Sequence, residues 1–154
     1  MTEAAPAELL ATLRPQFRAR MVAIVSIWND LLLPVQFPGL WARLTVGGRS
    51  DQDQAAAFAA GLSKVKRGFH QYGLAADFAL IDTKQTSEKS DDVLIVDGSH
   101  PAYAACGNIA VSFGCRYPIY LEPGKPDADH VEYHPNFTFD QLVAADASGK
   151  ALFA

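Results

Sequence analysis

Two residues in the middle of the chain can meet on one metal ion. In His70-Gln71-Tyr72-Gly73-Leu74-Ala75-Ala76-Asp77 a histidine and an aspartate stand seven positions apart, with a glycine and small residues between. Neutral imidazole and carboxylate are both zinc ligands, and a catalytic zinc takes three protein ligands with one position left for water. The third ligand has to come from elsewhere. Downstream, Asp127-Ala128-Asp129-His130-Val131-Glu132 offers a histidine with a carboxylate three residues before it. That pairing sets a ligand beside a general base able to take the proton of a metal-bound water. The expected site is therefore a Zn2+ ion held by His70, Asp77 and His130, with Asp127 as the base. Asp129 and Glu132 are rival carboxylates. In strand geometry Asp129 points away from His130, whereas Glu132 shares its face and can orient the ligand by hydrogen bonding.

Other catalytic layouts are weaker. His130 and His134 form H-x-x-x-H, but Val131, Tyr133 and Pro135 favour a strand, where positions four apart lie roughly 13 Å apart. His100, just before Pro101, reads as a structural histidine at a helix start. No H-E-x-x-H, G-x-S-x-G or phosphate-binding glycine loop is present. Cys106 and Cys115 have no metal-type spacing and read as small buried hydrophobes.

The elements that must position these residues follow from patterning. A short helix is expected over residues 6–14 and a longer one from Pro15 to Leu33. Phe17, Met21, Ile24, Trp28 and Leu31 recur at helical spacing in the longer one, and Pro34 is expected to stop it. Residues 34–38 read as a loop. Residues 42–46 alternate as a half-buried strand does, and Gly47-Gly48 breaks them. Ser50 opens a helix to about Leu62, with Asp53 as its capping-box carboxylate. Arg49 then sits at a strand-to-helix corner, where its planar fork of donors can reach a substrate carboxylate or a carbonyl.

Ala75 to Asp82 predicts a strand with Asp77, Ala79 and Ile81 on one face and Ala76, Phe78 and Leu80 on the other. Residues 83–92 form a polar excursion and residues 93–96 a short strand. Ser99 is expected to cap a helix running to about Phe113, ended by Gly114. Residues 115–128, with Pro118, Pro123, Gly124 and Pro126, read as a loop beside the third ligand. A last short strand covers residues 130–133, and a tail helix residues 140–147.

The two metal-ligand segments carry a resemblance. They look like the zinc peptidases that cut peptidoglycan stem peptides: the D-alanyl-D-alanine carboxypeptidases and dipeptidases, and the L-alanyl-D-glutamate endopeptidases of phage endolysins. These share a fold with lysostaphin-type enzymes and the hedgehog signalling domain (the LAS group). The family pattern is roughly S-x-H-x-x-G-x-A-x-D followed by E/D-x-x-H. His70, Gly73, Ala75 and Asp77 match the first part, and Asp127 and His130 the second. An upstream G-x-R-S-x-x-x-Q segment is matched by Arg49, Ser50 and Gln54, with Gly48 directly before the arginine. The resemblance implies an α+β fold with a small, mainly antiparallel sheet and flanking helices, as in the hedgehog and D,D-peptidase domains. It implies that Arg49 helps to orient substrate. Two departures touch substrate contacts. Gly68 stands where the family often has serine, and residues 115–120 replace a tryptophan-glycine-glycine cluster. The basic stretch with Lys64, Lys66 and Arg67 reads equally as solvated charge or as a cleft wall facing the acidic groups of a stem peptide.

Bulk properties narrow the setting. At 154 residues, 49% hydrophobic and 19% charged, the chain is expected to form one globular domain, residues 1–154, without repeats or linkers. Its net charge of -4 argues against a nucleic-acid partner. No secretory leader and no membrane-spanning run is visible, so synthesis in the cytoplasm and action on the cell wall after release, as in phage lysis, are expected. The expected partner is a peptidoglycan stem peptide, with no membrane partner and a monomeric state. The favoured activity is L-alanyl-D-glutamate endopeptidase. Alternatives are D-alanyl-D-alanine carboxypeptidase and a non-catalytic zinc-binding domain of a phage particle. An intact Asp127 argues against the last, because a structural zinc site has no use for a base.

Overall fold

Strand β2 (Ala75–Asp82) is the spine onto which the other three strands of a four-stranded sheet pair. Its bounds and facing in the computed structural model, which describes residues 4–61, 69–122, 124–133 and 140–141, agree with the alternation in the sequence. Ala76, Phe78 and Leu80 are almost fully buried, while Asp77 and Ile81 are half-buried on the opposite face. Strand β1 (Leu40–Val46) runs antiparallel to β2 from Leu40↔Asp82 to Val46↔Asp77, with a register shift between Leu44 and Val46. Two short strands share the other side of β2. β3 (Val93–Leu94) pairs with its end, and β6 (His130–Glu132) pairs antiparallel with its start. The architecture is the expected α+β one, a small antiparallel sheet flanked by helices.

Helices α1 (Ala7–Leu10), α2 (Pro15–Ile27), α3 (Leu33–Gln36), α4 (Asp51–Ala59) and α5 (Pro101–Ser112) complete the described elements together with β4 (Ile119–Glu122) and β5 (Lys125–Asp127). Phe17, Met21 and Ile24 of α2 and Trp28 just after it form the buried stripe that their spacing announces, but Leu31, expected to continue it, is 64% exposed because the π-helical turn shifts the register. The Trp28 ring lies 4.6 Å from that of Phe78 on β2, and its indole N–H donates to the Cys106 carbonyl of α5 at 2.8 Å. One aromatic side chain thus ties α2, α5 and the sheet together. Cys106 and Cys115 are both buried free thiols, and burial pushes each up to about 12, so they are inert packing residues.

Several expectations are corrected. Pro34 does not stop the second helix. A π-helical segment (Trp28–Leu32) widens the turn, with the Leu33 N–H bonded to the Trp28 carbonyl, and Pro34 falls in the first turn of α3, where a missing N–H costs little. The first helix is only Ala7–Leu10, because the chain turns at residues 11–14 and Arg18 takes the carbonyls of Leu10, Ala11 and Leu13. Helix α5 is capped by His100, whose Nδ1 accepts the Ala102 N–H, while the Ser99 hydroxyl turns to Asp97. Residues 115–128 are not a loop throughout: β4 and β5 form a two-stranded antiparallel hairpin with Gly124 at φ +74 in its turn. The capping serine of α4 is as expected, Ser50 Oγ accepting the Asp53 N–H at 3.0 Å. The stretch with Lys64, Lys66, Arg67 and Gly68, the residue His134 and the tail beyond Gln141 lie outside the described residues. No helix among the described residues is long and apolar enough to cross a membrane.

The π-helical segment has an identifiable partner. Asn29 Oδ1 accepts the Ala42 N–H at 2.8 Å and its Nδ2 donates to the Ala42 carbonyl at 2.9 Å, so one amide satisfies the backbone of a fully buried residue on β1. Replacing Asn29→Ala should strand both groups and lower unfolding stability by about 1–3 kcal/mol, read from urea denaturation.

Candidate metal centre

A cross-strand pair supplies two of the ligands. Asp77 and His130 are direct partners in the β2–β6 register, so their side chains stand next to one another on one face of the sheet. His70 arrives from the 3-10 turn (Phe69–Tyr72) just before β2. Gly73, at φ +69, turns the chain from there into the strand, a conformation that glycine adopts without penalty. The ligand atoms of His70, Asp77 and His130 all lie within 4.8 Å of one another, the convergence that a single cation needs. His70 Nε2 is 3.2 Å and His130 Nδ1 2.9 Å from Asp77 Oδ1.

Each histidine has its far nitrogen fixed. His70 Nδ1 faces the Gly47 carbonyl at 2.7 Å, and a carbonyl only accepts, so Nδ1 carries a proton and Nε2 is the nitrogen turned to Asp77. His130 Nε2 faces Glu132 Oε1 at 2.9 Å, leaving Nδ1 toward Asp77. A backbone carbonyl and a carboxylate behind two imidazoles are the outer partners that metal-binding histidines take, and with Asp77 between them the donor set fits zinc. Glu132 stands where the sequence reading put an orienting carboxylate. The Gly47 carbonyl was missed, and only the glycine pair after β1 hinted at a backbone approaching closely.

Asp127, at the end of β5, places Oδ2 3.8 Å from His130 Nδ1. Its side chain is 32% exposed against 19% for Asp77, so it is the carboxylate open to an incoming molecule. Asp129 differs from its expected placement. β5 ends at Asp127 and residues 128–129 form a turn, so the strand alternation that would point Asp129 away does not hold. Instead it shares a hydrogen bond with Asp127, and burial, that bond and the Asp77 charge push its carboxyl up to about 7. Arg49 joins the cluster through its backbone, its N–H donating to the His70 carbonyl at 2.8 Å. Arg49 also lines a cleft of about 470 Å³ with Arg14, Arg18 and Gln71, a cleft whose lining includes none of His70, Asp77, Asp127 and His130.

The electrostatics of the triad are those of a cation site. Burial would raise the Asp77 carboxyl, but hydrogen bonds from His130 and His70 reverse this and hold it well below the usual carboxylate range. Burial would lower His130, and the bonds to Asp77 and Glu132 override it, raising it to about 10. A proton on His130 Nδ1 and a metal there exclude each other. Chelator-treated protein at pH 7 should therefore release about one proton per zinc ion bound, read by calorimetry in buffers of different ionisation enthalpy. Without metal, the His130 contribution to stability is complete below its ordinary 6.5 and is lost as pH rises through about 10. That of Asp77 is complete above its ordinary 3.8 and is lost in acid.

No protein-family model matches the sequence, and no curated protein is similar enough to match it. Solved structures do match. One is the crystal structure of the Serratia marcescens L-Ala D-Glu endopeptidase ChiX, with a TM-score of 0.58 at 18% identity, over 87% of this chain and 92% of that one. The likeness spans nearly the whole of both chains and establishes that this protein shares the fold of that endopeptidase.

Proposed function

We propose that this protein is a zinc-dependent peptidase that cleaves peptidoglycan stem peptides at the L-alanyl-D-glutamate bond. The observation that carries the reading is the convergence of His70, Asp77 and His130, with the Asp127 carboxylate 3.8 Å from His130 Nδ1. Sharing the fold of an L-Ala D-Glu endopeptidase supports the choice of bond. Under this reading the protein acts on the cell wall.

His70 Nε2, Asp77 and His130 Nδ1 would hold the zinc. When bound, zinc supplies Lewis acidity toward the scissile carbonyl and makes a water more acidic. The Gly47 carbonyl and Glu132 accept from the far nitrogen of each imidazole, so both rings are already oriented when the site fills. Asp127, more open than the triad, takes the proton from the attacking water and returns it to the leaving amine. The Asp129 carboxyl, hydrogen-bonded to Asp127, holds that base in place. Arg49 offers a planar fork to a substrate carboxylate.

Asp127→Ala should keep its zinc, measured by elemental analysis, while the rate of stem-peptide cleavage falls by about 10²–10⁴-fold. Cleavage that survives at the wild-type rate would remove Asp127 from the role of base.

A further inference from the structure

Three glycines close around one corner of the N-terminal chain, and that corner stands behind the His70 ligand. Between α1 and α2 the Thr12 hydroxyl donates to the Leu9 carbonyl at 2.5 Å and accepts the Gly48 N–H at 2.7 Å. A Cβ on Gly47 would lie 2.5 Å from Thr12 Oγ1, one on Gly48 2.5 Å from the Thr12 carbonyl oxygen, and one on Gly73 2.8 Å from that same oxygen. The next turn continues the contact, with the Arg14 N–H on the Gly73 carbonyl at 2.9 Å and Arg14 Nε on the Tyr72 carbonyl at 3.0 Å. The corner is thus seated on both segments that flank His70.

One peptide plane connects this corner to the imidazole. The N–H that Thr12 accepts and the C=O that receives His70 Nδ1–H belong to the same unit, Gly47–Gly48. That unit is rigid and planar, so a bond at one end aims the other. It is flanked by two glycines, which leave it freer to rotate than any other residue pair would. Larger residues cannot replace them without displacing Thr12. The two bonds also polarise one another through the amide.

We infer that Thr12 is a positioning residue of the metal centre: by holding the Gly47–Gly48 peptide it keeps the proton on His70 Nδ1 and Nε2 aimed at the cation. The inference rests on the reading of His70 as a metal ligand, and it assigns a role to a residue 58 positions away in sequence. Loss of the hydroxyl frees the peptide to turn, the Gly47 carbonyl leaves Nδ1, and nothing then holds the proton on that nitrogen.

Thr12→Val keeps the shape and removes the hydroxyl, while Thr12→Ser keeps the hydroxyl. In chelator-treated protein, nitrogen NMR should find a proton held on His70 Nδ1 in wild type and Thr12→Ser, and partly lost from Nδ1 in Thr12→Val. Zinc should bind Thr12→Val about tenfold more weakly or worse, and Thr12→Ser within about twofold of wild type. A purely structural threonine would lower the unfolding midpoint of Thr12→Val and leave Nδ1 protonation and zinc affinity at their wild-type values, which would overturn the inference. If Thr12→Val does not fold, exchange of the Gly48 amide in wild type decides: zinc should slow it, and an unchanged rate would overturn the inference. Wild-type protein that binds no zinc would defeat the metal reading alone, since Nδ1 protonation is measured without metal.

Discussion

A half-buried carboxylate, Asp77, is gripped between two imidazoles at the point where β2 meets β6. A charge in that position costs several kcal/mol unless it is paired and hydrogen-bonded. The fold supplies the pairing from two directions, His130 from the neighbouring strand and His70 from the turn before β2. Each histidine is in turn anchored from behind, one by Glu132 and the other by a backbone carbonyl. The same arrangement that makes the aspartate tolerable makes a cation welcome. A proton on His130 and a metal at His130 are two solutions to one electrostatic problem, and the choice between them follows pH and metal supply.

The scaffold around this grip is built to hold it still. Trp28 locks α2 and α5 against Phe78, directly beside Asp77 on β2. The Asp129 carbonyl accepts the Phe78 N–H, so the turn carrying the Asp127–Asp129 pair is tied to the strand that carries the ligand. Tyr117 donates to the Ala128 carbonyl at 2.9 Å and packs against Gly107 of α5, which fixes the hairpin bearing Asp127. The proposed base is thus anchored to the same core as the proposed ligands, as a catalytic constellation on rigid elements requires.

The His70–Asp77 part of the candidate ligand set was legible in the sequence because it is written locally. His70, Gly73 and Asp77 straddle one turn and one strand start, and the alternation of β2 reads cleanly because one of its faces is buried against helices. What was not legible depends on partners distant in the chain. The pairing of Asp77 with His130 spans 53 positions, and its register is set by burial rather than by a turn. The hairpin at β4 and β5 was hidden by Pro118, Pro126 and Gly124, which read as loop; proline is tolerated there because both strands are sheet edges. Helix continuation past Pro34 depended on the π-helical turn, and that turn on Asn29 reaching Ala42. The carbonyl of Gly47 has no side chain to announce it.

The most direct test of the account is mass spectrometry of purified peptidoglycan digested with the protein, with and without a chelator. Stem peptides bearing a new D-glutamate amino terminus, released only when metal is present, are the result the account predicts. Release of terminal D-alanine alone would move the activity to carboxypeptidase chemistry. No product with any divalent metal would contradict the catalytic reading of the His70, Asp77 and His130 site.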